Sequence, residues 1–205
     1  MGGKQSVVLQ SPRTEPEEPR PLKVYTTGFE ESGKTTIMNK FLELPQNTQY
    51  RPTIGLDMYK TLFKSFKLLC YEIGGSRLIT FMKTYESVLR LSDCLIYVVD
   101  GLLSRDKIQN QKEILVKIIQ SVSDIVPILI FVNKSDKQSS HSVEEIRYYL
   151  DLDNLLDGRT WTIMTCSGIN GNNIEDGFNW LVEHVKLFVP EINRYNIKPK
   201  IICDE

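Results

Sequence analysis

Two short strings in this chain carry residue types that do chemistry. The first, Gly28-Phe29-Glu30-Glu31-Ser32-Gly33-Lys34-Thr35, has the spacing G-x-x-x-x-G-K-[ST]. A loop of this composition wraps backbone N–H groups around a phosphate, with a helix N-terminus behind it. Lys34 would reach β- and γ-phosphates, and Thr35 would hold Mg²⁺. The second string is Asn133-Lys134-Ser135-Asp136. A carboxylate in the place of Asp136 accepts two hydrogen bonds from guanine N1 and N2. Adenine has no matching donor pair, so discrimination should be large. Asn133 can bridge between base and loop, while the stem of Lys134 can lie over the purine face.

Three further loops could complete such a site. In Arg51-Pro52-Thr53-Ile54-Gly55, the Thr53 hydroxyl can meet Mg²⁺ and its N–H a γ-phosphate, ordering the loop only with a triphosphate. Taken alone this string is equally an ordinary Pro-Thr turn. In Glu72-Ile73-Gly74-Gly75 the carboxylate could face Mg²⁺ through water, and the Gly75 N–H could meet the γ-phosphate. In Thr165-Cys166-Ser167-Gly168, backbone N–H groups at Cys166 and Ser167 could face guanine O6.

These loops need rigid elements to hold them. Leu22 to Thr27 reads as a strand and Thr35 to Leu42 as a helix, flanking the first string. Leu56 to Phe63 and Phe66 to Ile73 read as a hairpin turning at Lys64-Ser65. Cys94 to Val99 is a continuous apolar run, as in a central parallel strand, and Asp100 closes it. Asp106 to Val122 reads as one helix with Ile108, Gln111, Leu115, Ile118 and Ile119 on one face and Ile114 beside it. Ile125 to Val132 is the next buried strand, starting around Pro127. Ser142-x-x-Glu145 is a capping box opening a helix through Leu150. Trp161 to Met164 is the last strand. A final helix from about Asn173 turns Ile174, Phe178, Leu181, Val182, Val185 and Phe188 inward and leaves His184 on its polar face.

The 205 residues suit one domain, and 41% hydrophobic content is enough for a real core. A net charge of −1 gives no reason to expect nucleic acid as a partner. Cys70, Cys94, Cys166 and Cys203 lack paired metal spacing; three lie in or beside hydrophobic runs, and buried reduced thiols are the preferred reading. No run approaches 18 apolar residues, and no signal peptide is recognisable, so a cytoplasmic location is expected. Residues 1–20 read as a flexible segment, 21–188 as the folded domain and 189–205 as a tail. Met1-Gly2-Gly3-Lys4-Gln5-Ser6 fits the myristoylation pattern, with Gly2 as acceptor after loss of Met1. One acyl chain would give weak, reversible membrane contact.

Taken in order, Gly28…Gly33-Lys34-Thr35-Thr36, Pro52-Thr53-Ile54-Gly55, Gly74-Gly75, Asn133-Lys134-Ser135-Asp136 and Thr165-Cys166 resemble the Ras-like small GTPases, and among them the Arf and Arf-like family. The resemblance covers about residues 20 to 188. It implies an α/β, Ras-like P-loop GTPase fold, with a six-stranded, mostly parallel sheet flanked by helices. It implies GTP/GDP and Mg²⁺ as ligands, with Glu30, Glu31, Ser32, Thr36 and Lys134 among the nucleotide-binding positions. Effector, exchange and activating proteins would meet the chain from Arg51 to Met58 and from Gly74 to Tyr85. It also implies a hairpin that slides between the two switches. In the family's aromatic effector patch, Leu56 stands where Phe is usual and Tyr71 where Trp is usual, with Tyr85 near the third position.

The chain departs from the family pattern at three places. Ser76 occupies the position of the glutamine that orients the attacking water, and its hydroxyl is too short for that work. Glu72 replaces an aspartate, so the charge survives with one more methylene, near an ion that demands tight octahedral geometry. Glu30 and Glu31 put two acids in the phosphate loop, at little cost if Glu31 points outward and at a cost in GTP affinity if inward. Binding is therefore expected to survive and turnover to be poor. Three functions are compatible with this chain: a GTP-binding switch with very slow hydrolysis, a hydrolase completed by a partner's catalytic group, and a scaffold of GTPase shape.

Overall fold

The sheet is built from the apolar runs. The computed structural model describes residues 20–45, 55–75, 78, 80 and 82–185. Six strands, β1 (Leu22–Thr27), β2 (Leu56–Phe63), β3 (Phe66–Ile73), β4 (Cys94–Asp100), β5 (Ile128–Asn133) and β6 (Trp161–Thr165), lie in the order β2-β3-β1-β4-β5-β6. Only the β2–β3 hairpin is antiparallel; β3, β1, β4, β5 and β6 run parallel. β4 and β5 are buried along their whole length, as strands covered on both faces must be. The expected α/β architecture is present, and both hairpin strands keep their expected limits.

Helices cover both faces. α1 (Lys34–Phe41) and α7 (Ile174–Val185) pack on one, where Ile37, Met38, Phe178 and Leu181 meet Val98, Leu129 and Phe131. On the other lie α2 (Met82–Leu89), α3 (Arg105–Gln109), α4 (Lys112–Ser121), α5 (Val143–Tyr149) and α6 (Leu152–Leu155), whose apolar residues close over Tyr97, Val99 and Ile130. The single helix expected from Asp106 to Val122 is two, broken at Asn110 and Gln111. The anticipated inward face is nonetheless buried, from Ile108 to Ile119. Gln111 is buried too, and its Oε1 accepts from the Tyr97 hydroxyl at 3.3 Å. That buried polar partner accounts for a polar residue on an apolar face. α6 is four residues long, and a helix of one turn leaves no visible period in the sequence.

The capping box at α5 is present as read: the Glu145 N–H donates to Ser142 Oγ, and the Ser142 N–H to Glu145 Oε2. α7 begins after Asn173, whose side chain donates to Thr165 O at 2.9 Å. His184 is not on an open polar face: its ring stacks on Trp180 with centroids 4.2 Å apart, and Nδ1 lies 2.7 Å from Trp180 O. Cys70, Cys94 and Cys166 are buried free thiols, and burial pushes the Cys70 thiol up to about 12. No helix among the described residues is long and apolar enough to cross a membrane.

Parallel strands point one way, so their carboxyl ends share an edge. Thr27, Ile73, Asp100, Asn133 and Thr165 end their strands there. In an open α/β sheet this is where a ligand crevice forms.

Candidate functional site

The phosphate loop takes its shape from three left-handed residues. Gly28, at φ 142°, passes so near β4 that a Cβ would stand 2.3 Å from Val98 O. Glu31 takes φ 62° and is exposed. Gly33, at φ 89°, caps α1, and a Cβ there would stand 2.1 Å from Asn133 Nδ2. The N-terminus of α1 has neither a side-chain cap nor an acid in its first turn. The positive dipole end of the helix thus faces the loop with no acid of its own beside it, a setting that favours an anion.

Lys34 is the first residue of α1 and is buried. Its Nζ donates to Gly28 O at 3.0 Å and Phe29 O at 2.8 Å, with Ser32 Oγ at 3.5 Å. The ammonium therefore sits inside its own loop. Burial pushes it down to about 8, against the upward pull of Glu72 and Glu30. A bound phosphate would favour the charged form that burial disfavours.

Thr35 and Glu72 meet beside it: the Thr35 hydroxyl donates to Glu72 Oε1 at 2.5 Å, and Glu72 is fully buried at the end of β3. A hydroxyl and a carboxylate side by side form a hard oxygen pair, the donor type Mg²⁺ takes. These residues fit the ion, and Thr35 and Glu72 would hold it. When bound, Mg²⁺ would neutralise charge on β- and γ-phosphate oxygens. Gly75 rests on the phosphate loop so closely that a Cβ would be 2.4 Å from Glu30 N and 2.8 Å from Gly28 O. Ser76, Thr53 and Gly2 lie outside the described residues.

The base-reading loop is tied to the phosphate loop. Asn133 Nδ2 donates to Ser32 O at 2.8 Å, and Asn133 Oδ1 accepts from Gly168 N at 3.0 Å. One buried side chain thus joins three loops. Thr36 completes the seam, since a Cβ on Gly168 would touch the Thr36 side chain at 3.1 Å. Asp136 Oδ1 accepts from Ser167 Oγ at 2.8 Å. That bond holds the Asp136 carboxyl below its ordinary range, so it stays an ionised acceptor. Its remaining lone pairs suit a paired donor edge such as guanine N1 and N2.

The neighbouring backbone N–H groups and the Lys134 ammonium have partners within the protein. The N–H groups expected to face guanine O6 are engaged within the protein: Cys166 N with Val132 O at 2.8 Å, and Ser167 N with Asn172 O at 3.2 Å. The turn from 167 to 172 closes on itself, and Ser167 contributes its hydroxyl to Asp136 instead. Lys134, at φ 72°, directs its ammonium to Asp100 Oδ2 at 2.6 Å. In the sequence, Asp100 marks only the end of β4. Its position on the sheet's carboxyl edge, after five apolar residues and a tyrosine, was the available signal.

Between residues 78 and 85, the described apolar residues turn inward. Leu78, Met82 and Tyr85 are buried, so Tyr85 offers no aromatic surface to a partner. On the hairpin, Leu56 and Met58 are exposed, and half-buried Tyr71 stacks on Tyr25 with centroids 4.6 Å apart.

Comparison with known proteins agrees with this geometry. A protein-family model described as "Arf: ADP-ribosylation factor family" matches residues 10–185. ADP-ribosylation factor-like protein 2 of Dictyostelium discoideum is 32% identical over 165 residues, 80% of this chain and 87% of that protein. ADP-ribosylation factor-like protein 3 of Chlamydomonas reinhardtii is 30% identical over 164 residues, 80% of this chain and 90% of that protein. A solved structure described as the Arl6 BBS3 small GTPase from Trypanosoma brucei with bound nucleotide analogue GppNp superposes with TM-score 0.69. It covers 82% of this chain and 99% of that one at 24% identity, a likeness of fold.

Proposed function

The chain belongs to the ADP-ribosylation factor family of small GTPases, and from that premise we propose that it is a guanine-nucleotide switch whose bound GTP turns over very slowly. Membership carries the general reading of a nucleotide- and Mg²⁺-binding switch with effectors. The observation that carries the reading in this chain is the Asn133 side chain, bonded at once to Ser32 O and to Gly168 N. It fixes the phosphate loop and the base-reading loops at one distance from each other, as a ligand with phosphates at one end and a purine at the other requires.

Slow turnover rests on Ser76. A serine hydroxyl cannot span the distance a glutamine amide covers, so the attacking water has no protein group to orient it. Lys34, Thr35 and Thr53 are present, which separates holding GTP from cleaving it. Effectors and exchange proteins would meet residues 51–58 and 74–85. Exposed Leu56 and Met58 support the first of these, and the inward-turned Met82 and Tyr85 narrow the second. Acylation of Gly2 would add weak membrane contact.

Titration with mant-labelled GDP, GTP and ATP tests the nucleotide assignment. Binding of both guanine nucleotides at micromolar concentration or below, with ATP much weaker, is expected. No binding of either guanine nucleotide would overturn it.

A further inference from the structure

Glu72 deepens the nucleotide-switch reading and depends on it. In the register of β1 with β3, Glu72 lies beside Thr26, two residues before the phosphate loop begins at Gly28. From there its buried side chain reaches Thr35, with Oε1 2.5 Å from Oγ1. Two oxygens on neighbouring corners of an octahedral Mg²⁺ site, each about 2.0–2.1 Å from the ion, stand about 2.9 Å apart. The Thr35–Glu72 pair is within a few tenths of an ångström of that spacing. An aspartate on the same backbone would end about 1.5 Å short, one C–C bond. That shortfall is room for a water between carboxylate and ion.

We propose that Glu72 is a direct ligand of the Mg²⁺ that accompanies the nucleotide, beside Thr35, in place of a water the ion would otherwise keep. The hydroxyl proton of Thr35, now donated to Glu72, turns away when both oxygens face the cation. An anionic oxygen in place of a neutral water holds the ion more tightly. Retention of nucleotide should therefore saturate at lower Mg²⁺ than it would with aspartate at this position.

The test uses the full chain loaded with mant-GDP. Mg²⁺ is titrated against the rate of nucleotide release for wild type, Glu72→Asp and Glu72→Gln. The half-protecting Mg²⁺ concentration should be about tenfold or more lower in wild type than in either variant, the usual scale for disturbing a metal's surroundings. Mn²⁺, which shares the octahedral oxygen preference, then replaces Mg²⁺, and its bound waters are counted by pulsed EPR in ¹⁷O-enriched water. Wild type should carry one water fewer than Glu72→Asp. Equal midpoints with equal water counts would overturn the proposal. Glu72→Gln keeps the size of the side chain and an acceptor for Thr35, so it decides the titration if Glu72→Asp fails to fold. Wild type that binds no mant-GDP at all would remove the switch reading itself, and this inference with it.

Discussion

Asn133 and Gly33, a hundred residues apart in the chain, are in contact so close that Gly33 has no room for a side chain: a Cβ would stand 2.1 Å from Asn133 Nδ2. The same Nδ2 donates to the neighbouring Ser32 O at 2.8 Å. The helix cap, the phosphate loop and the base-reading strand are therefore one packed unit.

Substitution on either side of this contact should damage stability and binding together. Asn133→Ala leaves Ser32 O and Gly168 N without their buried partner, and should cost about 2–3 kcal/mol of stability. Gly33→Ala adds a clash at φ 89° and should cost a similar amount. Urea denaturation of the nucleotide-free protein and mant-GDP titration check this. Loss of binding with an unchanged denaturation midpoint would show that Asn133 serves the ligand alone.

Asp136 should set base choice and leave phosphate affinity alone. Asp136→Ala should lower GDP affinity by about a hundredfold or more while leaving ADP affinity nearly unchanged. Ser167→Ala, which removes the 2.8 Å bond orienting that carboxylate, should cost about tenfold. Competition between GDP and ADP for the mant-nucleotide site measures both.

Lys34 should give binding a characteristic pH dependence. Its ammonium in the free protein sits at about 8 because it is buried, and a phosphate beside it raises that value. Below about 8 the lysine is charged in both states and affinity is flat. Above it, binding must take up a proton, so Mg²⁺-free GDP affinity should fall by up to about tenfold per pH unit. Lys34→Arg, charged throughout, should lack this fall between pH 7.5 and roughly 9. The same slope in Lys34→Arg would place the titrating group elsewhere.

Gly177→Ala weighs two opposed effects. Alanine favours a helix over glycine by about 1 kcal/mol. Here a Cβ would meet Phe131 Cζ at 2.3 Å and Leu129 Cδ2 at 2.8 Å, and overpacking a core costs about 1–3 kcal/mol. Both partners are fully buried, so they have little room to yield. A net loss of about 1 kcal/mol is expected, read as a lower denaturation midpoint.

Much of this architecture was legible in the sequence because local signals and tertiary structure agree. The β2–β3 hairpin has its expected limits because two β-rich runs flank a two-residue turn, Lys64-Ser65, in which Lys64 takes φ 53°. The strings around Lys34 and Asp136 are read from spacing alone. What stayed hidden depends on distant pairings. The break between α3 and α4 falls at Gln111, whose side chain meets Tyr97 across the core, a pairing that the local sequence does not show. The pairing of Lys134 with Asp100 joins two strand ends. The length of Glu72 was visible, but that it touches Thr35 follows from the register of β3 against β1. The motif marks the loop of Ser167 and suggests a backbone role, while its hydroxyl bond to Asp136 arises only when β5 and β6 are side by side.

On the proposed function, this chain holds GTP and cleaves it poorly because Ser76 cannot position water. Single-turnover hydrolysis of pre-bound radiolabelled GTP with Mg²⁺, compared between wild type and Ser76→Gln, tests it most directly. Wild type should retain its label as GTP, and Ser76→Gln should convert it to GDP about tenfold faster or more. Hydrolysis by wild type as fast as by Ser76→Gln would show that Ser76 does not limit turnover.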